Sequence, residues 1–118
     1  MNLIVKLEDE LIKSKLSEGK KGLAFLLEYA NPYDDDRYDL LLKQANVKYD
    51  FYDDSELEEF IIDSFSMGPD EFYDKYGVNF WIARDANLTT LSKSVENMND
   101  SNKDYMIGLY AERFLNNN

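Results

Sequence analysis

The sequence predicts a mainly helical α+β domain spanning all 118 residues, with a small antiparallel sheet of two or three short strands among five to seven helices. Three observations predict it. Apolar residues recur at helical spacing through most of the chain, as expected of helices with one buried face. Two short runs, residues 47–52 and 78–83, alternate between the two faces of an extended chain, the pattern of half-buried strands. No linker, internal repeat or low-complexity insert divides these segments, and a chain of this length holds one hydrophobic core with little left for a second.

Taken in order, the opening Asn2-Leu3-Ile4-Val5-Lys6-Leu7 is β-prone but reads equally as the start of the helix that follows. That helix carries Leu7, Leu11, Ile12 and Leu16 on one face and stops near Glu18-Gly19-Lys20. Leu23, Leu26, Leu27 and Ala30 line a second helix, which ends before Asn31-Pro32 because proline disfavours helical geometry in the residue before it. Tyr38, Leu41, Leu42 and Ala45 share a face of a third helix, and the preceding Asp34-Asp35-Asp36 supplies the negative charge that a helix N-terminus favours. Val47, Tyr49 and Phe51 alternate with Lys48, Asp50 and Tyr52, predicting a strand. Ser55-Glu56-Leu57-Glu58 fits a capping box, with Leu57, Phe60, Ile61 and Phe65 continuing as an amphipathic helix. Gly68-Pro69 ends that helix and starts another, whose inner face is expected to hold Phe72, Tyr73 and Tyr76 and which Gly77 closes. Val78, Phe80 and Ile82 then alternate with Asn79, Trp81 and Ala83, a second strand able to pair with the first. Leu88, Leu91, Val95 and Met98 form a helical stripe, and residues 101–115 form the last helix.

Charge is distributed unevenly along these elements. Residues 28–76 contain fifteen of the twenty-four carboxylates and four of the thirteen basic residues, so this window carries the whole net charge of −11. The flanks balance. Seven of the nine tyrosines also lie in the window. An excess of carboxylates opposes approach to nucleic acid or to an anionic membrane, whereas a basic protein is the natural complement. No apolar run approaches the roughly 20 residues that cross a bilayer, and Met1–Leu7 is followed by three acids, unlike a signal peptide. A cytoplasmic location is expected. Cysteine and histidine are both absent, which removes disulfides, thiolate chemistry, the commonest general base and the commonest metal ligand. Binding is therefore favoured over catalysis, with no cofactor expected.

One spacing does suggest chemistry. Glu56-x-x-Glu59 and Glu71-x-x-Asp74 each put two acids on one helix face, and two such helices packed antiparallel would offer four carboxylates to Mg²⁺. The pattern resembles the metal motif of all-α nucleoside triphosphate pyrophosphohydrolases and implies, as the alternative function, a Mg²⁺-dependent enzyme of that class. Asp35-Asp36-Arg37-Tyr38-Asp39 matches the DDxxD string of prenyl-transferring enzymes, but the chain is too short for their bundle and has no second metal motif. No EF-hand, Gly-rich phosphate loop or nucleophile elbow is present.

The acids themselves form the main candidate site. Carboxylates spaced along a helix can imitate duplex phosphates, which occur once per roughly 1.7 Å of axis. The predicted partner-binding residues are Asp34, Asp35, Asp36, Asp39, Asp50, Asp53, Asp54, Glu56, Glu58, Glu59, Asp63, Asp70, Glu71 and Asp74. Tyr33, Tyr52 and Tyr76 join them as exposed aromatics, the residue type enriched at interface hot spots. In size, charge, missing cofactor motifs and interleaving of aromatic with acidic residues, the chain is similar to the DNA-mimic antirestriction and anti-CRISPR inhibitors of phages and mobile elements. This resemblance implies an inhibitor that occupies the basic site of a nucleic-acid-handling enzyme or nuclease. Immunity proteins that neutralise basic nuclease toxins share the same general character.

Overall fold

Seven helices and no strand are found among residues 3–45, 51 and 53–116, which the computed structural model describes. They are α1 (Leu3–Ser17), α2 (Lys20–Glu28), α3 (Asp36–Gln44), α4 (Asp54–Ser66), α5 (Pro69–Tyr76), α6 (Phe80–Glu96) and α7 (Asp100–Asn116). The expected α+β class is therefore corrected to all-helical over the described residues. Of the first strand candidate only Phe51 is described, in irregular backbone; Val47, Lys48, Tyr49, Asp50 and Tyr52 lie outside the described residues.

The second strand candidate is the start of α6. Asn79 decides this locally, because its side-chain oxygen accepts hydrogen bonds from the backbone N–H groups of Trp81 (3.0 Å) and Ile82 (3.2 Å), capping the first turn. Downstream, the fully buried positions Ala83, Ala86, Asn87, Thr90, Leu91, Ser94 and Val95 keep helical spacing. The alternation at residues 78–82 continues no further than Ile82, which is only half-buried. A related shift occurs at α4, where the cap is Asp53 and not Ser55. The Asp53 carboxylate accepts the Glu56 N–H at 2.9 Å, two residues upstream of the predicted box.

The chain divides into two compact units, residues 1–30 with 91–118 and residues 31–90. In the first unit α1 packs on α2 and on α7, with Leu11, Ile12, Leu23, Leu26, Leu91, Val95, Met98 and Met106 buried. Each such side chain contributes about 1.5–3 kcal/mol when fully buried. Glycine governs the α1–α2 hairpin: Gly19 takes a positive φ of 73°, which other residues rarely adopt, and a Cβ on Gly22 would lie 1.6 Å from the Lys15 carbonyl oxygen. Tyr29, at the end of α2, is fastened by Asn97, whose amide donates to its carbonyl (3.2 Å), and by Asn102, whose amide donates to its hydroxyl (2.6 Å).

The second unit holds almost all of the acidic window. Its centre is an aromatic series in which Phe60 meets Phe51 and Tyr76 edge-to-face at centroid distances of 5.1 and 5.1 Å and Phe72 at a tilt at 5.4 Å, and Phe72 meets Phe80 edge-to-face at 5.7 Å. A buried polar chain runs beside it. The Tyr38 hydroxyl donates to Asn87 Oδ1 (2.9 Å), the Asn87 amide to Ser64 Oγ (2.9 Å) and the Ser64 hydroxyl to the Ile61 carbonyl (2.6 Å), linking α3, α6 and α4. Helix α5 begins with Pro69 after Gly68 and ends at Gly77 in the left-handed conformation, as its sequence dictates.

Candidate functional site

Between the start of α3 and the start of α4 the second unit opens a cleft of about 360 Å³. Its lining is mostly apolar and aromatic: buried Pro32, Tyr38 and Leu57, half-buried Leu42 and Phe51, and exposed Tyr33 and Asp39. Tyr38 is held by the bond to Asn87, so that wall is set by the unit's interior. Burial raises the Tyr38 phenol pKa well above its ordinary value, with Tyr33 and Asp39 adding to the effect. Tyr33 is 47% exposed and its hydroxyl reaches the Asp53 carbonyl at 3.4 Å. Its phenol is also raised, first by burial and then by the negative charges of Asp54, Asp53 and Glu56. The rim of the cleft is thus a place of negative potential, built from the first turns of two helices.

The predicted acids divide by what they do in the fold. Asp35 is buried and caps α3, accepting the N–H groups of Arg37 (2.9 Å) and Tyr38 (3.3 Å). Asp53 caps α4, and Asp34 accepts the Asn31 amide at 2.6 Å. Glu59 and Asp63 receive Lys75 at 2.8 and 2.7 Å, tying α5 to α4 and raising the lysine's pKa, mainly through the Asp63 bond and then the Glu59 bond. Asp36, Asp39, Asp54, Asp70, Glu71 and Asp74 are exposed, while Glu56 and Glu58 are half-buried. Asp39 lines the cleft, and Asp53, Asp54 and Glu56 lie near Tyr33, which lines it too; Asp70, Glu71 and Asp74 lie apart in sequence on α5. Asp50, like Tyr52, lies outside the described residues.

The aromatics fall differently from expectation. Tyr76 is half-buried because its hydroxyl donates to Asp63 at 2.5 Å and its ring packs on Phe60 and Phe72; burial, then the Asp63 bond, raises its phenol pKa. Tyr73, expected on the inner face of α5, is 60% exposed, and Trp81 is 64% exposed with its ring at 5.0 Å from Phe80. The Trp81 signal was present in the sequence: once Asn79 is taken as a cap, Trp81 falls off the stripe made by Phe80, Ala83 and Asn87. The cleft lining had no such signal, since it joins residues from 32 to 57 that are not periodic with one another.

The four acids of the pyrophosphohydrolase-like pattern do not make a metal cradle. Among the described residues no group of three or more acids could hold a metal ion, and Glu59 faces Lys75. Among the same residues no helix is long and apolar enough to cross a membrane. Compared with known proteins, the chain matches no family model, no curated protein and no solved structure, which leaves the functional reading to its own side chains.

Proposed function

We propose that this chain is a small acidic inhibitor of the cytoplasm that binds a basic, nucleic-acid-binding site on a partner protein and keeps nucleic acid out of it. The observation that supports this reading most directly is the gathering of acids at one open cleft: Asp53, Asp54 and Glu56 at the start of α4 lie near the exposed Tyr33, which lines the cleft together with Asp39 of α3. Carboxylates on two helix starts, with aromatic contact area between them, suit an arginine- and lysine-lined groove. Counter-defence inhibitors of the antirestriction or anti-CRISPR type use such chemistry. An immunity protein against a basic nuclease toxin would present the same kind of surface, and the partner's identity separates the two.

The test begins with affinity capture of a partner from the host and continues with its binding isotherm. Affinity is expected to fall at least tenfold between about 0.05 and 0.2 M salt, the behaviour of an interface that replaces several phosphate contacts. Duplex DNA or RNA should compete. Asp36→Asn, Asp39→Asn and Asp54→Asn together should weaken binding while the helical content is kept, because none of these three side chains is the cap of its helix. A partner bound equally well at both salt concentrations, and simultaneously with nucleic acid, would refute the reading.

A further inference from the structure

We infer that the cleft between α3 and α4 is a socket for a single arginine side chain of the basic partner. The inference rests on the inhibitory reading for the identity of the partner, and on the cleft itself for the chemistry. A volume of about 360 Å³ is at the small end of the range of roughly 300–1,000 Å³ found for ligand pockets, enough for one long side chain and too small for a folded element. Among the described residues its walls offer three aromatic rings, Tyr33, Tyr38 and Phe51, and one charged side chain, the Asp39 carboxylate. Apolar walls accept an alkyl stem, ring faces attract a cation, and a carboxylate holds a guanidinium through two parallel hydrogen bonds. Asp53, Asp54 and Glu56 around Tyr33 add negative charge at the rim.

Arginine is favoured over lysine on physical grounds. The guanidinium is planar, weakly hydrated and stacks on aromatic faces, whereas the ammonium is compact and strongly hydrated. The same unit already uses that chemistry internally, with the Arg84 guanidinium 5.4 Å from the Phe65 ring centroid and 5.6 Å from that of Phe80. A partner's arginine entering beside Asp39 would pair with that carboxylate while its guanidinium lies against the aromatic walls of the cleft.

Titration of the full chain with acetyl-arginine methylamide, followed through backbone amide NMR shifts, tests the socket without needing the partner. Saturable shifts at Tyr33, Asp39, Leu42 and Leu57 are expected, with blocked lysine binding at least threefold more weakly and blocked citrulline, which has the shape without the charge, producing none. Asp39→Asn should weaken the arginine probe about tenfold, and Tyr33→Leu should weaken it with the ion pair still available; both positions are exposed, so unchanged helical circular dichroism is expected. Shifts that spread over Asp70, Glu71 and Asp74 without saturating, or that are the same in Asp39→Asn, overturn the socket. The two readings fail separately. A captured partner that remains salt-sensitive and DNA-competed but is indifferent to Asp39→Asn, together with an unsaturable probe, removes the socket and leaves the inhibitor; a saturable probe with a salt-insensitive partner does the reverse.

Discussion

Replacing Tyr38 by phenylalanine removes one oxygen and keeps the ring that walls the cleft. That oxygen donates to Asn87 Oδ1 at 2.9 Å, with Tyr38 3% and Asn87 0% exposed, so water cannot readily take its place. The Asn87 amide still donates to Ser64, but its carbonyl loses the Tyr38 donor inside the unit. An orphaned buried acceptor costs about 1–3 kcal/mol, which is well above the net value of a typical hydrogen bond exchanged with water. Tyr38→Phe is therefore expected to destabilise by about 2 kcal/mol in urea unfolding followed by far-ultraviolet circular dichroism. Asn87→Leu removes the acceptor and leaves the Tyr38 hydroxyl buried without it, at a similar cost; Ser64 keeps its bond to the Ile61 carbonyl in either variant. The double variant should recover about 1–2 kcal/mol relative to the sum of the singles, because neither orphan remains. A Tyr38→Phe cost under about 0.5 kcal/mol, or strict additivity in the double variant, would show that the polar chain does not act as a unit.

Two further outcomes follow from the glycines and the phenols. Gly22→Ala puts a methyl group 1.6 Å from the Lys15 carbonyl oxygen, a backbone atom that cannot rotate away, and should cost about 3 kcal/mol or more in unfolding free energy; Gly108→Ala, exposed on α7 with nothing within 4 Å, should instead raise stability by about 0.5–1 kcal/mol. Equal effects at the two positions would contradict the close α1–α2 approach. The phenols of Tyr33, Tyr38 and Tyr76 are raised above the ordinary value of 10.0, so above about pH 10 the unfolded chain loses protons that the folded chain retains. Stability from these groups is complete below that pH and is lost as pH rises further; Lys75, raised as well, acts in the same direction. Tyrosinate absorbance should show a late phase coincident with loss of helix, and all nine tyrosines titrating together near pH 10 in a still-folded protein would count against it.

What could be read in advance was local. Pro69 and Gly77 around α5 and the stop at Glu18-Gly19 act on their own backbone neighbours and take their expected roles, while Asp35, expected as one of several acids at the start of α3, is the buried residue that caps it. The regional charge imbalance is likewise a property of composition and needs no fold to be seen. Two local features, the Asp53 and Asn79 caps, differ from the expected capping box and strand; what the chain could not reveal by pattern at all depends on distant partners. Helix α6 buries Asn87, Thr90 and Ser94 on its inner face, so its apolar period is interrupted and the alternation at 78–82 looks like a strand; only Tyr38, 49 residues away, and Ser64, 23 residues away, make a buried Asn87 acceptable. Tyr76 turns inward and Tyr73 outward because Asp63 and Lys75 meet the former on α4's side of the helix. Glu59 and Asp63 are drawn to that same lysine, which removes them from the acidic rim. Side-chain type and spacing determined where helices begin and how charge is apportioned, because capping and composition act within a few residues. Tertiary packing decided which acids remain available and where the cleft opens, since desolvated hydrogen bonds and ion pairs form only when segments far apart in the chain are brought within about 3 Å of one another.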